Sequence, residues 1–166
     1  MNAPPTDTAR AQPPCLPREL LASTAFLLGR LGYAVKMQAM EEFERAGSSP
    51  YDYGVLALLE EGARETQATI ADALRVDRSQ LVGLLDALEE RELIERRRDP
   101  NDRRRHLVSL TPAGRRQLEN LRKTVERIEE EVLEPLDPEE RATLQSLLLR
   151  VAGHRDKRFV PDAVAS

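Results

Sequence analysis

The sequence predicts a mainly α-helical protein with a small β element. Apolar residues recur at helical spacing in six segments between Pro17 and Gly153. One region alone, between Leu93 and Leu110, shows short apolar and polar alternation on either side of a turn cluster. The 166 residues leave room for one domain of ordinary size with short arms.

The N-terminal part predicts an arm followed by a long helix. Residues 1–16 carry four prolines and few apolar residues, so we expect a disordered arm. A first helix is expected from Pro17 to about Arg45, because leucines recur at helical spacing and Gly47 follows as a stop. This helix is apolar on more than one face, which is typical of a helix buried between other elements or at a subunit contact.

Three further helices are predicted from their capping residues. Ser49 and Pro50 suit the start of the second helix, and Thr66 suits the N-cap of a short third one. Asp77 and Gln80 have the form of a capping box at the start of the fourth. The inward face of the fourth helix follows the spacing i, i+3, i+4 and i+7, and consists of Leu81, Leu84, Leu85 and Leu88.

A β-hairpin with a basic tip is predicted next. Residues 93–98 and residues 103–110 alternate between apolar and polar side chains. The residues between them, 99–102, are Asp, Pro, Asn and Asp, which favour a turn. The hairpin therefore directly follows the fourth helix.

Two helices complete the predicted fold. Thr111 and Pro112 restart the helical pattern, and Pro135 interrupts it. Asp137 begins a last helix that we expect to end at Gly153, and residues 159–166 are expected to be a flexible tail. The fifth helix carries a seam of the coiled-coil type over about two heptads, formed by Leu118, Leu121, Val125, Ile128 and Val132.

The charge distribution points to nucleic acid although the net charge of the chain is −4. Six arginines against two aspartates lie between Arg96 and Arg105, whereas most other stretches are neutral or acidic. A concentrated basic patch on an acidic body is the electrostatic footprint of a protein that binds nucleic acid.

The short third helix, the tight turn and the capped fourth helix form a helix-turn-helix, and the basic hairpin makes it a winged one. The second helix of such a pair inserts its N-terminal end into the major groove of double-stranded DNA. We expect Arg78 to contact phosphate. Ser79 and Gln80 can bond to base edges or phosphates, and Val82 can meet a thymine methyl group. Gly83 either lets the helix lie close to the duplex or is a neutral change on an exposed face.

The wing supplies the second predicted DNA contact. Arginine side chains suit a narrow minor groove, where the negative potential is enhanced. A solvated charged turn is the alternative, and the strong excess of arginine argues against it. Asp102 would orient a neighbouring guanidinium rather than cancel its charge. The predicted wing contacts are Arg97, Arg98, Asp102, Arg103, Arg104 and Arg105.

At these residues the sequence resembles the MarR family of winged helix-turn-helix repressors. The run Leu93-Ile94-Glu95-Arg96 and the run from Asp99 to Gly114 look like the family's wing signature, an Asp-Arg-Arg tip followed by a Leu-Thr-x-x-Gly helix start. The fit covers roughly residues 18–155. Arg75 and Glu92 stand where members commonly carry glycine, and a left-handed backbone there would cost on the order of 1 kcal/mol.

The resemblance implies a homodimer that joins through helices at both chain ends, here residues 17–46 and 112–155, with residues 49–111 as the DNA-binding lobe. The seam of the fifth helix and the broadly apolar first helix agree, since both need partners. Two recognition helices about 34 Å apart would face a pseudo-palindromic operator. The predicted dimerisation residues are Leu20, Leu27, Leu118, Leu121, Val125, Ile128, Val132, Leu144, Leu147, Leu148 and Val151.

The resemblance also implies an effector, a small aromatic or phenolic acid that releases the protein from DNA by population shift. Its candidate lining residues, for which ordinary core packing is the alternative, are Tyr33, Met37, Met40, Tyr51 and Tyr53. A subset of the family senses peroxides through a cysteine, but Ala25 stands at that position here. A redox-responsive repressor that uses Cys15 is therefore an alternative rather than the main interpretation.

Other classes of protein find little support in the sequence. The longest apolar run has five residues, Val55 to Leu59, so we expect no membrane partner. A single cysteine and two distant histidines predict no metal site and no cofactor, in a reduced, cytoplasmic protein. No arranged nucleophile or phosphate-binding glycine loop points to an enzyme. The remaining alternative is a helical protein-interaction module without DNA binding.

Overall fold

The computed structural model of the protein describes residues 15–62, 65–100 and 106–160. The chain divides into two units, residues 1–34 and residues 35–166, and the boundary falls inside the second helix. Most of the predicted N-terminal arm and C-terminal tail lies outside the described residues. Within the described ranges, no helix is long and apolar enough to cross a membrane.

The first unit contains α1 (Arg18–Leu21) and the start of α2 (Thr24–Arg45). The prediction of one continuous helix from Pro17 is wrong, because the Ser23 hydroxyl accepts a hydrogen bond from the Phe26 N–H at 3.2 Å and caps a new helix. The apolar spacing continues across this break, so the pattern alone did not reveal it. The large apolar side chains of the unit are exposed at Leu20, Leu21, Leu27, Leu28 and Leu31.

The second unit contains the rest of α2 and all later elements of the described chain. The predicted order of four helices, a hairpin and two helices is confirmed, apart from the extra break in the first helix. The elements are α3 (Pro50–Gly62), β1 (Glu65–Thr66), α4 (Gln67–Leu74), α5 (Arg78–Glu90), β2 (Ile94–Arg98), β3 (His106–Leu110), α6 (Pro112–Val132), α7 (Pro138–Arg155) and a single 3-10 turn (Lys157–Phe159).

The hairpin is part of a three-stranded antiparallel sheet in the order β1-β3-β2. Ile94 pairs with Leu110 at one end of the β2–β3 ladder, and Arg98 pairs with His106 at the other. Glu65 pairs with Val108 on the opposite edge of β3. The sequence analysis missed β1, because two residues are too few to show an alternating pattern.

The core of the second unit lies between α3, α4, α5, the sheet and α6. Its side chains are apolar and include Val108 in the central strand. The fully buried members with large side chains are Val55, Leu56, Leu59, Ile70, Leu81, Leu85, Leu88, Ile94, Val108, Leu118 and Leu121. This core fixes α5 and the sheet as one body, so the two predicted DNA-contacting elements have a common support.

The seam of α6 packs inside the chain, which corrects the expectation that it needs a partner. Leu118 and Leu121 are fully buried, and Ile128 is nearly so. Val125 and Val132 are half-buried and pack against the same core. The reason is that α3 lies against the first half of α6, where Glu60 pairs with Arg122, and α2 lies beside the second half, where Gln38 bonds to Glu131. These five residues therefore stabilise the fold of one chain.

The last helix, α7, has no buried residue. Its N-cap is Asp137, the predicted start of the helix, which forms a capping box with Glu140. The Arg141 guanidinium donates hydrogen bonds to the carbonyl oxygens of Leu133 and Leu136, and so closes the turn after α6. The helix continues two residues past Gly153, the predicted end, to Arg155. The apolar side chains exposed on it are Leu147, Leu148, Leu149 and Val151, whereas Leu144 is half-buried.

Among the residues that the structure describes, two that are not glycine adopt left-handed backbone conformations, namely Arg75 (φ 50°) and Glu92 (φ 56°). These are the positions at which the sequence departs from the glycines of the family pattern. A left-handed conformation costs an L-residue with a side chain roughly 1–2 kcal/mol. The turns before α5 and β2 therefore follow the same backbone path that glycine would allow. The non-glycine residues bear this conformational cost, which glycine would not.

Candidate nucleic-acid interface

The helix-turn-helix consists of α4, a turn at Arg75 and Val76, and α5. Thr66 caps α4 in a reciprocal box with Thr69. At the other end of α4, the N–H groups of Arg75 and Val76 both donate to the Ala71 carbonyl, which closes the helix as the chain turns. The turn delivers the chain directly to Asp77, the N-cap of α5.

The cap of α5 differs from the predicted capping box. The Asp77 carboxylate accepts hydrogen bonds from the Ser79 N–H at 2.8 Å and from the Ser79 hydroxyl at 2.5 Å. These bonds hold the pKa of Asp77 below its ordinary value. Because its hydroxyl proton is donated to Asp77, Ser79 is left as an acceptor toward any group in front of the helix.

The predicted recognition residues are all exposed in the first half of α5, and Ser79 and Gly83 lie opposite the buried face of that helix. A Cβ atom added at Gly83 would meet no atom within 4 Å. The glycine is therefore not required by the packing of this chain. Contact with DNA stays a prediction for these residues, which are Arg78, Ser79, Gln80, Val82 and Gly83.

Two hollows flank the start of α5. One, of about 280 Å³, lies toward α4 and is lined by Gln67, Ala68, Arg78, Leu81 and Val82. The other, of about 300 Å³, lies toward α3 and is lined by Ser49, Tyr51, Val76, Gln80 and Leu84. The predicted DNA contacts therefore lie beside different hollows. Arg78 and Val82 border the first, and Gln80 borders the second.

Arg96 joins the wing to the recognition helix. Its guanidinium Nε donates to Glu89 at 2.8 Å, its Nη2 lies 2.6 Å from Asp86, and its backbone N–H donates to Glu89 at 3.1 Å. The hydrogen bond from Arg96 holds the pKa of Glu89 below its ordinary value. Arg96 was counted in the basic patch, but its side chain is only 20% exposed and both of its partners belong to α5. The available signal was strand parity, since Arg96 lies two residues after the buried Ile94.

The remaining wing arginines differ in what the structure describes of them. Arg97 is exposed and bonds to Glu95 at 2.9 Å, and Glu95 in turn accepts a bond from the Ser109 hydroxyl. Arg98 is exposed at the end of β2. Four predicted wing contacts, Asp102, Arg103, Arg104 and Arg105, lie outside the described residues.

An ion pair between buried Asp52 and exposed Arg91, which the sequence analysis missed, fixes the far end of α5. Asp52 is buried, and its carboxylate accepts bonds from the N–H and the hydroxyl of Ser49, each at 3.0 Å. Arg91, which follows α5, donates to Asp52 at 3.0 Å and to Ser48 at 3.2 Å. The partner of Asp52 lies 39 residues away and leaves no local pattern.

The residues predicted to line a ligand pocket have different surroundings. Tyr53 packs against Phe43 with ring centroids 5.8 Å apart, as in an ordinary core contact. Tyr51 lines the hollow beside Gln80. Met37 and Met40 are exposed on α2, and Tyr33 is exposed in the first unit. Of the candidates, Tyr51 alone is thus next to a recognition residue in the described part of the chain.

Comparison with known proteins agrees with this geometry. The profile of the MarR family matches residues 49–106, which run from the start of α3 to the start of β3. A protein of Thauera aromatica named for transcriptional regulation of the hcr operon is 33% identical over 133 residues, which cover 75% of this chain and 80% of that protein. The chain belongs to the MarR family. It is a DNA-binding transcriptional regulator with a winged helix-turn-helix.

Solved MarR-family structures share the fold. The transcriptional repressor CouR bound to a 23-mer DNA duplex has a TM-score of 0.72 and 34% identity, covering 81% of this chain and 95% of that one. CouR from Rhodococcus jostii RHA1 bound to p-coumaroyl-CoA has a TM-score of 0.67 and 32% identity, covering 80% and 94%. This MarR-family chain is therefore similar both to a DNA-bound and to a ligand-bound regulator.

Proposed function

We propose that the protein is a homodimeric repressor that binds a pseudo-palindromic operator and is released from it by a small aromatic ligand. The observation that carries the proposal is the exposed N-terminal side of α5 beside the arginine-bearing strand β2, which Arg96 ties to the same helix. A recognition helix and a wing held as one unit suit simultaneous contact with adjacent grooves. The similarity to DNA-bound CouR supports the same arrangement.

Duplex selection tests DNA binding directly. The purified protein is used to select duplexes from a random-sequence library, and affinity for the selected duplex is measured over a range of salt concentrations. We expect a selected sequence with approximate two-fold symmetry and affinity that falls steeply with salt, because phosphate contacts release counterions. Failure to enrich any duplex would leave the protein-interaction module as the better interpretation.

The substitution Gly83→Ala should separate stability from DNA binding. Alanine in the middle of α5 should raise the free energy of unfolding by about 1 kcal/mol, since the position is helical and open. If the helix lies close to the duplex, the added methyl group should lower affinity for the selected duplex at least tenfold. The measurements are urea unfolding and fluorescence anisotropy of labelled duplex. Unchanged affinity would mean that glycine here is a neutral change on an exposed face.

The exposed side of α7 supports the dimer. Leu147 and Val151 are 45% and 57% exposed and lie one helical turn apart, and the described part of the chain leaves both uncovered. Apolar side chains in such a row are typical of an interface. The proposal for the α7 residues therefore stands, although the α6 seam is already packed.

The double substitution Leu147→Glu, Val151→Glu should dissociate the dimer, because it places two carboxylates in an apolar contact. Sedimentation should show a monomer at micromolar concentration with unchanged helical circular dichroism, since both side chains are exposed in the single chain. Asn120→Asp with Lys123→Gln on exposed positions of α6 changes the charge equally and serves as the control. A double-glutamate variant that stays dimeric would place the interface elsewhere.

The hollow between Tyr51 and Gln80 supports an effector of modest size. Its volume of about 300 Å³ is at the small end of ligand pockets and suits a single aromatic ring. A ligand there would contact Gln80 at the start of α5 and so would compete with DNA for this side chain. Titration of p-coumaric acid and of p-coumaroyl-CoA into the protein–duplex complex tests the proposal. We expect p-coumaric acid, whose single ring this hollow suits, to release the duplex, and binding unaffected by both compounds would contradict an effector of this class.

A further inference from the structure

The turn before the recognition helix is held by side chains from the other end of the chain. Asp156 follows α7, and its carboxylate lies 3.2 Å from the Arg75 guanidinium. The same carboxylate accepts bonds from the backbone N–H of Arg158 at 3.1 Å and from its Nε at 3.0 Å. The three residues form a cluster, Arg75–Asp156–Arg158, that bridges the C-terminal segment and the helix-turn-helix.

Arg158 reaches the carbonyl oxygens that α4 leaves unpaired. Its Nη1 donates to the Asp72 carbonyl at 3.2 Å and to the Ala73 carbonyl at 3.1 Å, in the last turn of that helix. The last carbonyls of a helix have no partner within it and carry the negative end of its dipole. A guanidinium placed there meets both requirements. Asp156 holds this guanidinium in position, and the bonds from Arg158 lower the pKa of Asp156 far below its ordinary value.

The C-terminal segment is shaped to reach this place. The chain folds back on α7 at Gly153, where an added Cβ would lie 2.9 Å from a methyl carbon of Val160. The Asp156 N–H still bonds to the Ala152 carbonyl at 2.9 Å, so the carboxylate is fixed to the end of the helix. Its side chain is only 14% exposed. The fold of the segment therefore fixes the carboxylate, and the Arg75 side chain, which is 72% exposed, reaches it from the turn before α5.

The ion pair with Asp156 gives a reason for an arginine, rather than a glycine, at position 75 in the turn. Arg75 adopts a left-handed conformation that glycine would adopt without strain, and its side chain is used to bond Asp156. Two residues later the chain reaches Asp77 and the exposed head of α5. A displacement of the end of α7 would therefore be passed to the start of the recognition helix through Arg75 and Arg158.

We propose that Asp156 and Arg158 are positioning residues, which link the end of α7 to the turn before α5 and so set the placement of the recognition helix on DNA. This inference rests on the proposed contact between α5 and DNA. It adds a specific connection between α7 and the recognition helix α5. A partner or ligand that moves α7 would change DNA binding through this cluster.

The test compares Asp156→Asn with the unmodified full-length protein. One measurement is affinity for the duplex selected by the unmodified protein and for a random duplex of equal length. We expect about a tenfold loss on the selected duplex and less than a twofold change on the random one, because phosphate contacts survive a misplaced helix. Partial unfolding would lower both affinities by the same factor, so an equal loss on both duplexes would overturn the proposal, as would no loss on either.

A second measurement is independent of DNA. Amide hydrogen exchange at Val76–Gln80 should become at least fivefold faster in Asp156→Asn, and in a second variant, Arg158→Gln, because the turn loses its support. The control is Glu41→Gln, which makes the same charge change at an exposed pair with Arg45 on α2. Unchanged exchange in both variants would refute the link. Faster exchange in a protein that selects no duplex would instead refute the proposed function and leave the link in place.

Discussion

Replacing Gly114 by alanine is expected to lower the free energy of unfolding by about 3 kcal/mol. A Cβ atom at this position would lie 2.0 Å from the carbonyl oxygen of Leu93, far inside van der Waals contact. That carbonyl cannot easily move, because it accepts a hydrogen bond from the Thr111 N–H at 3.1 Å. The strand β2 and the start of α6 approach each other here as closely as backbone allows. Urea unfolding followed by circular dichroism measures the loss.

The control for this substitution is Gly29→Ala. Gly29 lies within α2, and an added Cβ would meet no atom within 4 Å. Alanine there should stabilise the helix by up to about 1 kcal/mol. Opposite signs at the two glycines would establish that close approach, rather than the loss of glycine as such, causes the effect. A Gly114→Ala protein as stable as the unmodified one would mean that α6 begins farther from β2.

Removing two arginines of the wing should have the largest effect on DNA binding. Arg103→Ala with Arg104→Ala is expected to weaken binding about a hundredfold at 0.1 M salt, for selected and random duplexes alike, because the proposed dimer loses two phosphate or minor-groove contacts from each of its two wings. The slope of log affinity against log salt should become shallower by about 4. Both residues lie in the chain between Arg98 and His106, which pair at the far end of the β2–β3 ladder.

The control variant removes two positive charges far from the wing in sequence, through Lys36→Ala on α2 and Lys123→Ala on α6, both at exposed positions. It should change affinity by less than fivefold, since only the overall charge is altered. Anisotropy titrations between 0.05 and about 0.3 M salt compare the two variants. An identical salt slope in the wing variant and the unmodified protein would exclude these arginines from the DNA contact.

Local chemistry explains which elements could be predicted. The caps at Thr66, Thr111 and Asp137 act on neighbouring N–H groups, so each is visible within four residues of sequence. The apolar face of α5 follows helical periodicity, and Leu81, Leu85 and Leu88 are buried as predicted. The hairpin was predicted because its strands and turn residues are adjacent in the chain. Each of these signals comes from residues that interact with one another and are close together in the sequence.

Other features depend on contacts between distant segments. The strand β1 exists only because β3 offers it an edge. Arg96 connects β2 to α5 because α5 presents Asp86 and Glu89 to it. The α6 seam has the pattern of a coiled-coil interface, but the packing of the same chain buries most of it. In each case the sequence shows a suitable residue, and its partner is set by the packing of the whole unit.

The sequence by itself determined the order of the helices and the wing, the exposed N-terminal end of the recognition helix, and the arginine-rich patch. These follow from capping, periodicity and charge, which act over one or two turns of chain. Only the tertiary structure decided which arginines are exposed and which bond to other elements of the chain. The reason is that a guanidinium binds whichever carboxylate or carbonyl the fold brings within about 3 Å. The structure thus distinguishes Arg96 and Arg158, which bond to α5 and to the end of α4, from the exposed Arg97 and Arg98.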